Sequence, residues 1–300
     1  VASIRVRNRS ITHHTTANMD DMDLGGLDSD KEDDEFDLSM NDDGDSESED
    51  IDVSEDGEDS LYRQVVGLCG GPDLMQVFGP SGSGKSTLAM EILKSALKEG
   101  DKKALIIDTE RNVLDVENID GADYVYIPEW HDLYHYVVGN EAALSKNPFG
   151  ENTTNRKTLK DGYDVVLLDS IGFPALVQYG EYRVDDNSDQ FKVFNELQVI
   201  TGKLKQYSQR NEALAVVINQ PKSDLSGETN PPPFGDKSIF GFKEIWLTEK
   251  LSSSDIATKC SINAFRSRQA GRGASIYELK ISDSGVDVEF VLGKEEEGWM

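Results

Sequence analysis

Three hundred residues can hold one large domain or two small ones, and a formal charge of −27 sets a long-range field that repels nucleic acid unless a local basic patch dominates. No run of roughly 18 apolar residues is present, which excludes a membrane-spanning helix. The acid is unevenly placed: residues 20–60 carry 21 Asp or Glu against one Lys, whereas residues 61–300 carry 36 acidic and 26 basic side chains.

The acidic segment has few apolar residues beyond Leu24, Leu27, Phe36, Leu38 and Ile51. It cannot bury enough surface to offset the entropy of ordering, so residues 1–60 read as a disordered acidic tail. Residues 1–18 differ, with Arg5, Arg7 and Arg9 and no acid. No apolar stretch follows these arginines, as a secretion signal would require. Met19 is a candidate start. Cys69 and Cys260 stand far apart with no Cys-x-x-Cys spacing, the pattern of a reduced, intracellular protein. The expected organisation is tail 1–60, one folded domain 61–292, and a C-terminal tail 293–300.

Strand-like and helix-like stretches alternate along that domain, the signature of a mostly parallel sheet flanked by helices. Leu74–Phe78 is a short apolar run ending at Gly79. From Lys85 to Glu99, Leu88, Ile92, Leu93, Ala96 and Leu97 recur at helical spacing, and Gly100 supplies the stop. Strands are expected at Ala104–Asp108, Tyr124–Ile127 and Asp164–Asp169. Phe191, Phe194, Leu197, Ile200, Leu204 and Tyr207 mark one face of a long helix, followed by a strand at Leu214–Ile218. Glu244–Glu249, Thr258–Phe265, Ala274–Ile281 and Val286–Val291 are closely spaced and joined by turns, as antiparallel hairpins closing one side of the sheet would be.

Gly79-Pro80-Ser81-Gly82-Ser83-Gly84-Lys85-Ser86-Thr87 matches G-x-x-x-x-G-K-[ST] between a strand and a helix. The glycines let the backbone curl so that several N–H groups point at phosphate oxygens, and the helix start adds its positive dipole end. Lys85 supplies a charge to the β- and γ-phosphates, and the Ser86 hydroxyl is a Mg²⁺ ligand. Asp169, ending a buried strand, is the carboxylate expected to organise that metal; alone it could equally cap the next turn. Glu110, at the end of Ala104–Asp108, is placed to activate water. His131 and His135 share one face of a helix Trp130–Val138. With no third ligand they read as surface residues rather than a zinc site.

The strand ending Asp108-Thr109-Glu110 resembles the RecA/RadA recombinases, where that glutamate is the catalytic base. The likeness continues in order: Gly70-Gly71 before the P-loop strand, Asp169-Ser170, and Leu214–Ile218 followed by Asn219-Gln220. In that family the glutamine senses the γ-phosphate and opens the second DNA-binding loop. Phe265-Arg266-Ser267-Arg268 and Ile281-Ser282-Asp283-Ser284-Gly285-Val286 resemble the archaeal RadB paralogues. The resemblance spans about residues 62–292. It implies a RecA-like α/β fold, ATP and Mg²⁺ as cofactors, Glu110, Lys85 and Gln220 as catalytic residues, and self-association as a ring or short filament. The helical domain and polymerisation segment of RadA have no counterpart in this sequence, which points to the shorter RadB-like type. Arg266-x-Arg268 also resembles the Lys-x-Arg finger of DnaB and KaiC ATPases. Arg266, Arg268 or Arg272 could reach a neighbouring subunit's γ-phosphate, or be a solvated strand residue.

By position in that family, the first DNA loop would run about Phe173–Gln190, with Arg183. The second would run about Pro221–Phe242, with Lys222, Phe234, Lys237 and Phe240, a mix of cations and stacking aromatics suited to single strands. Glu181, Asp185, Asp186, Asp189, Asp224 and Glu228 share those stretches. The acidic tail reads as a plain solvated segment, a DNA mimic, or a dock for a recombinase or other basic partner. The functional expectation is an ATP-dependent, single-stranded-DNA-binding, RadB-like protein of recombination or repair. The alternative is a KaiC-like, nucleotide-switched regulator that binds proteins and no DNA. A helicase is the weaker third reading, since nothing like a helicase N-terminal domain is present.

Overall fold

A computed structural model describes residues 60–111, 119–140, 144, 157–181, 187–221 and 241–293; residues 1–59 of the expected acidic tail lie outside them. Its sheet has the strand order β3-β2-β4-β5-β1-β6-β7-β8-β9. Five short strands form the parallel part: β1 (Leu74–Phe78), β2 (Ala104–Asp108), β3 (Ala122–Tyr126), β4 (Val165–Asp169) and β5 (Leu214–Asn219). β6 (Glu244–Ser253) runs parallel to β1 and antiparallel to β7 (Ala257–Arg266). β8 (Ser275–Ser282) and β9 (Gly285–Phe290) extend the antiparallel part. The C-terminal strands thus match the expected hairpins, and β6 is the hinge between the two pairing modes.

β1, β2, β4 and β5 are buried along their whole length, as strands covered on both faces must be. α1 (Leu61–Leu68) and α2 (Lys85–Leu97) pack with one core cluster. α3 (Trp130–Val138), α4 (Gly172–Glu181) and α5 (Asn187–Asn211) pack with the other. On α2, Leu88, Ile92, Leu93 and Ala96 are fully buried; each large side chain removed from water contributes about 1.5–3 kcal/mol. α2 ends at Leu97, two residues before the expected Glu99, and Gly100 follows at φ +93.

Several expectations are corrected. β3 begins two residues before the expected Tyr124 and ends before Ile127. It is the outer strand, and its first residues are half-exposed, so they carry no apolar signal. On α5 the inward stripe is Val193, Leu197, Ile200 and Leu204, whereas Phe191 is 56% exposed. The stretch read as a first DNA loop, Phe173–Gln190, is mostly helical: α4 occupies its beginning and α5 starts at Asn187. Its limits came from the resemblance; the run Phe173–Val177 has an apolar helical pattern with Pro174 tolerated in the first turn. α1 had no sequence signal because it is only two turns long. Ser60 caps it, and it is held to α2 by Tyr62 N–H donating to Ser95 Oγ at 3.1 Å and an Arg63–Glu99 ion pair at 3.1 Å.

Candidate functional site

The carboxyl ends of β1, β2, β4 and β5 meet at one rim of the sheet. Register sets the alignment: Asp108 lies beside Asp169, and Phe78 beside Asn219. Ligands in open α/β sheets bind beyond such strand ends. The loop after β1 turns through Gly82 at φ +72 and Gly84 at φ +85, values that L side chains rarely adopt. Gly84 is the N-cap of α2, with no side-chain cap and no acid in the first turn. The first N–H groups of a helix lack intrahelical partners, and here they sit where an anion would complete them. Pro80, Ser81 and Gly82 are exposed, while Lys85, Ser86 and Thr87 are half-buried.

The loop is braced from the antiparallel part of the sheet. A Cβ at Gly79 would come within 2.2 Å of the Thr248 carbonyl oxygen, so glycine is required by close backbone approach. The Ser83 and Thr248 hydroxyls are 2.5 Å apart, and Ser83 Oγ donates to the Pro80 carbonyl at 2.8 Å. Thr248, on β6, is a supporting residue that sequence reading missed. It lies 170 residues from Phe78, whose carbonyl it also meets at 3.4 Å, and no local pattern could have announced it.

Lys85 Nζ donates to the Pro80 carbonyl at 2.8 Å. Burial lowers the tendency of its ammonium to stay charged, and the carboxylates of Asp169 and Glu110 oppose that shift. Asp169 is buried, and burial pushes its carboxyl up to about 6, against a hydrogen bond with Ser86 and the charge of Lys85. Its Oδ2 is buried without a hydrogen-bond partner among the described residues. A hydroxyl beside a carboxylate with an unused oxygen is a hard-oxygen pair that fits Mg²⁺.

The ends of β2, β4 and β5 bring three polar side chains together. Ser170 Oγ donates to Glu110 Oε1 in a short hydrogen bond. Gln220 Nε2 lies 3.3 Å from the same oxygen and 3.5 Å from Oε2. Thr109 ties the ends of β2 and β4: its hydroxyl donates to the Ser170 carbonyl at 2.8 Å and accepts from Ser170 N–H at 2.9 Å. Asn219 fixes Gln220 by accepting its N–H at 2.9 Å. Glu110 and Gln220, 110 residues apart, are thus brought into contact; the part played by the Ser170 hydroxyl and the Thr109 tie was not foreseen.

The remaining candidates are placed differently. Arg268 is held within its own chain, donating to the Cys69 carbonyl at 2.7 Å and pairing with Asp73 at 2.8 Å, while its N–H donates to Glu244 at 2.6 Å. Arg266 Nη1 donates to the Phe242 carbonyl at 3.3 Å, and Arg272 lies 5.3 Å over the Phe265 ring. Arg183, Lys222, Phe234, Lys237 and Phe240 lie outside the described residues. His131 and His135 stack edge to face at 4.4 Å on α3. Among the described residues no group of three His, Cys, Asp or Glu could hold a metal ion, and no helix is long and apolar enough to cross a membrane.

The AAA domain family profile matches residues 73–195, which contain the P-loop, Glu110 and Asp169. The "DNA repair and recombination protein RadB" of Methanococcoides burtonii is 25% identical over 212 residues, covering 70% of this chain and 87% of its own length. Its counterpart in Methanosphaera stadtmanae is 25% identical over 222 residues, with 71% and 86% covered. That of Methanobrevibacter smithii is 30% identical over 154 residues, with 48% and 58% covered. The crystal structure of the RadB recombinase superposes with a TM-score of 0.51 over 75% of this chain and 96% of its own, at 21% identity, and so shares the fold. Sheet order, P-loop and strand-end carboxylates define a RecA/RadA-like P-loop protein. Within that class the chain is RadB-like.

Proposed function

We infer that the chain couples ATP hydrolysis to single-stranded DNA binding in recombination or repair. The contact between Gln220 and Glu110 carries this reading. In this reading Glu110 takes a proton from water, with its carboxylate oriented by hydrogen bonds from the Ser170 hydroxyl and the Gln220 amide. Lys85 and the loop N–H groups hold the phosphates. Ser86 and Asp169 would hold Mg²⁺, which neutralises phosphate charge when bound. Gln220 stands two residues before Lys222, where the cationic and aromatic segment begins. A change in how Gln220 contacts Glu110 therefore has a covalent route into the stretch suited to stacking on bases. The names of the RadB relatives support a role in recombination or repair.

A second reading, a nucleotide-switched regulator of protein partners, is favoured by the excess of 36 acidic over 26 basic side chains in residues 61–300. Turnover with and without single-stranded DNA, and binding across a salt series, separate the two. The first reading expects stimulation by DNA and an affinity that falls steeply with salt, because phosphate contacts release counterions. Turnover indifferent to DNA, with no salt-sensitive binding, would overturn it in favour of the second.

A further inference from the structure

The turn that carries Glu110 is held from outside the nucleotide site. Asp108 is fully buried at the end of β2. Its Oδ1 accepts from Glu110 N–H at 2.9 Å and from Arg111 N–H at 2.7 Å. Its Oδ2 accepts from the Tyr124 hydroxyl at 3.0 Å. Both carboxylate oxygens are therefore used, one on the backbone under Glu110 and one on the outer strand β3. Arg111 sits at φ +60, a left-handed conformation that a non-glycine residue holds only against a cost. Its guanidinium lies 5.7 Å over the Tyr126 ring. Tyr124 and Tyr126 alternate with buried Val125, so both project from one side of β3. One grips the turn through Asp108 and the other through Arg111.

We propose that Tyr124 and Asp108 are positioning residues for hydrolysis, which fix the Glu110 carboxylate against Ser170 and Gln220 from the outer strand. The inference rests on Glu110 being the base. The Tyr124 phenol is suited to this: burial, and then the adjacent Asp108 carboxylate, push its ionisation up, so it stays a donor. The two backbone N–H groups occupy Oδ1 alone, and the buried Oδ2 takes its bond from β3. The third bond adds a tether to the neighbouring strand, and a catalytic group depends on such a support for its placement.

The test uses the full chain and four variants, Tyr124→Phe, Asp108→Asn, Asp108→Ala and Glu110→Gln. Tyr124→Phe removes, from a side chain that is 37% exposed, the hydroxyl that serves the buried Asp108 Oδ2, and it should lower the melting temperature modestly while the chain stays folded. The expected result is a fall in kcat of about ten-fold with KM for ATP unchanged, since a small misplacement of a reacting group can cost up to about a hundred-fold. Amide exchange in a peptide covering Ile106–Arg111 should quicken by about ten-fold. Asp108→Asn keeps an acceptor for the two N–H groups and should retain more turnover than Asp108→Ala. Normal kcat and normal exchange in Tyr124→Phe, with Glu110→Gln stalled, overturn the proposal alone. Wild-type turnover in Glu110→Gln overturns the assignment of the base and the positioning role with it. A fall in Tyr124→Phe that disappears when turnover is expressed per folded molecule makes the tether merely structural and also overturns it.

Discussion

The two parts of the sheet solve different problems. β1, β2, β4 and β5 are five or six residues long and buried throughout, and each presents its candidate site residues at or just past its last residue. β6 and β7 are ten residues long, and β9 alternates between half-buried and exposed along its length. None of Lys85, Glu110, Asp169 and Gln220 lies on them. What they supply is support: Thr248 fills the space beneath Gly79, and Arg268, two residues past β7, clamps Cys69 and Asp73, which precede β1. The short parallel strands place reacting groups at one rim because their ends are in register, and the longer antiparallel strands keep the phosphate loop from moving off that rim. On the function proposed above, the placement of the candidate hydrolytic groups depends on a region that supplies none of Lys85, Glu110, Asp169 and Gln220.

The sharpest way to break this division is Gly79→Ala, which sets a methyl against the Thr248 carbonyl. Either the loop or β6 must shift, at a cost of about 3 kcal/mol for overpacking, and nucleotide affinity should fall along with the melting temperature. Normal affinity would show that the loop does not lean on β6. Arg268→Ala comes next. Removing hydrogen bonds made by a charged group that is about a third exposed should cost about 2 kcal/mol by chemical melts, while turnover per folded molecule is unchanged. If turnover instead fell by about 10³ with a normal melt, Arg268 would be acting on phosphate as a finger, and the support role would be wrong.

The smallest effect sits in the parallel part and has the opposite sign. Burial raises the Asp169 carboxyl to about 6 from an ordinary value of 3.8. A carboxyl with a raised folded-state value makes the fold less stable as pH rises through that window, from about 4 to 6. A rise of about two units, in which the Ser86 hydrogen bond is already included, corresponds to about 3 kcal/mol at most. Asp169→Asn without metal or nucleotide should therefore be about 1 kcal/mol more stable than wild type at pH 7.5, and the gain should vanish near pH 4. A variant less stable at pH 7.5 would mean that the site is not strained by its own ionised carboxylate.

Much of the site was legible in order along the chain. The glycines before Lys85, the apolar run closing on Asp169 and the strand that ends two residues before Glu110 each depend on local chemistry: a backbone that must curl, a strand that must be dry, a polar group at or just past its end. The same is true of β1 and β2, whose limits agree with the structure residue for residue. Where apolar residues faced water, or one element was cut short, the pattern misled. Phe191 was read as inward because its spacing suits a stripe, but Val193 takes that place. The helix α4 was read as loop because a resemblance set its limits.

The sequence by itself determined the nucleotide loop, the class of fold and the identity of the strand-end carboxylates, because strand and helix periods and the geometry of a phosphate-cradling turn are properties of neighbouring residues. Only the tertiary structure decided what those groups lean on: Thr248 against Gly79, Gln220 and Ser170 on Glu110, Arg268 on Asp73, and Tyr124 on Asp108. Most of these contacts join residues 60 or more positions apart in the chain. Such pairs are made by strand order and register, which no local run of residues encodes.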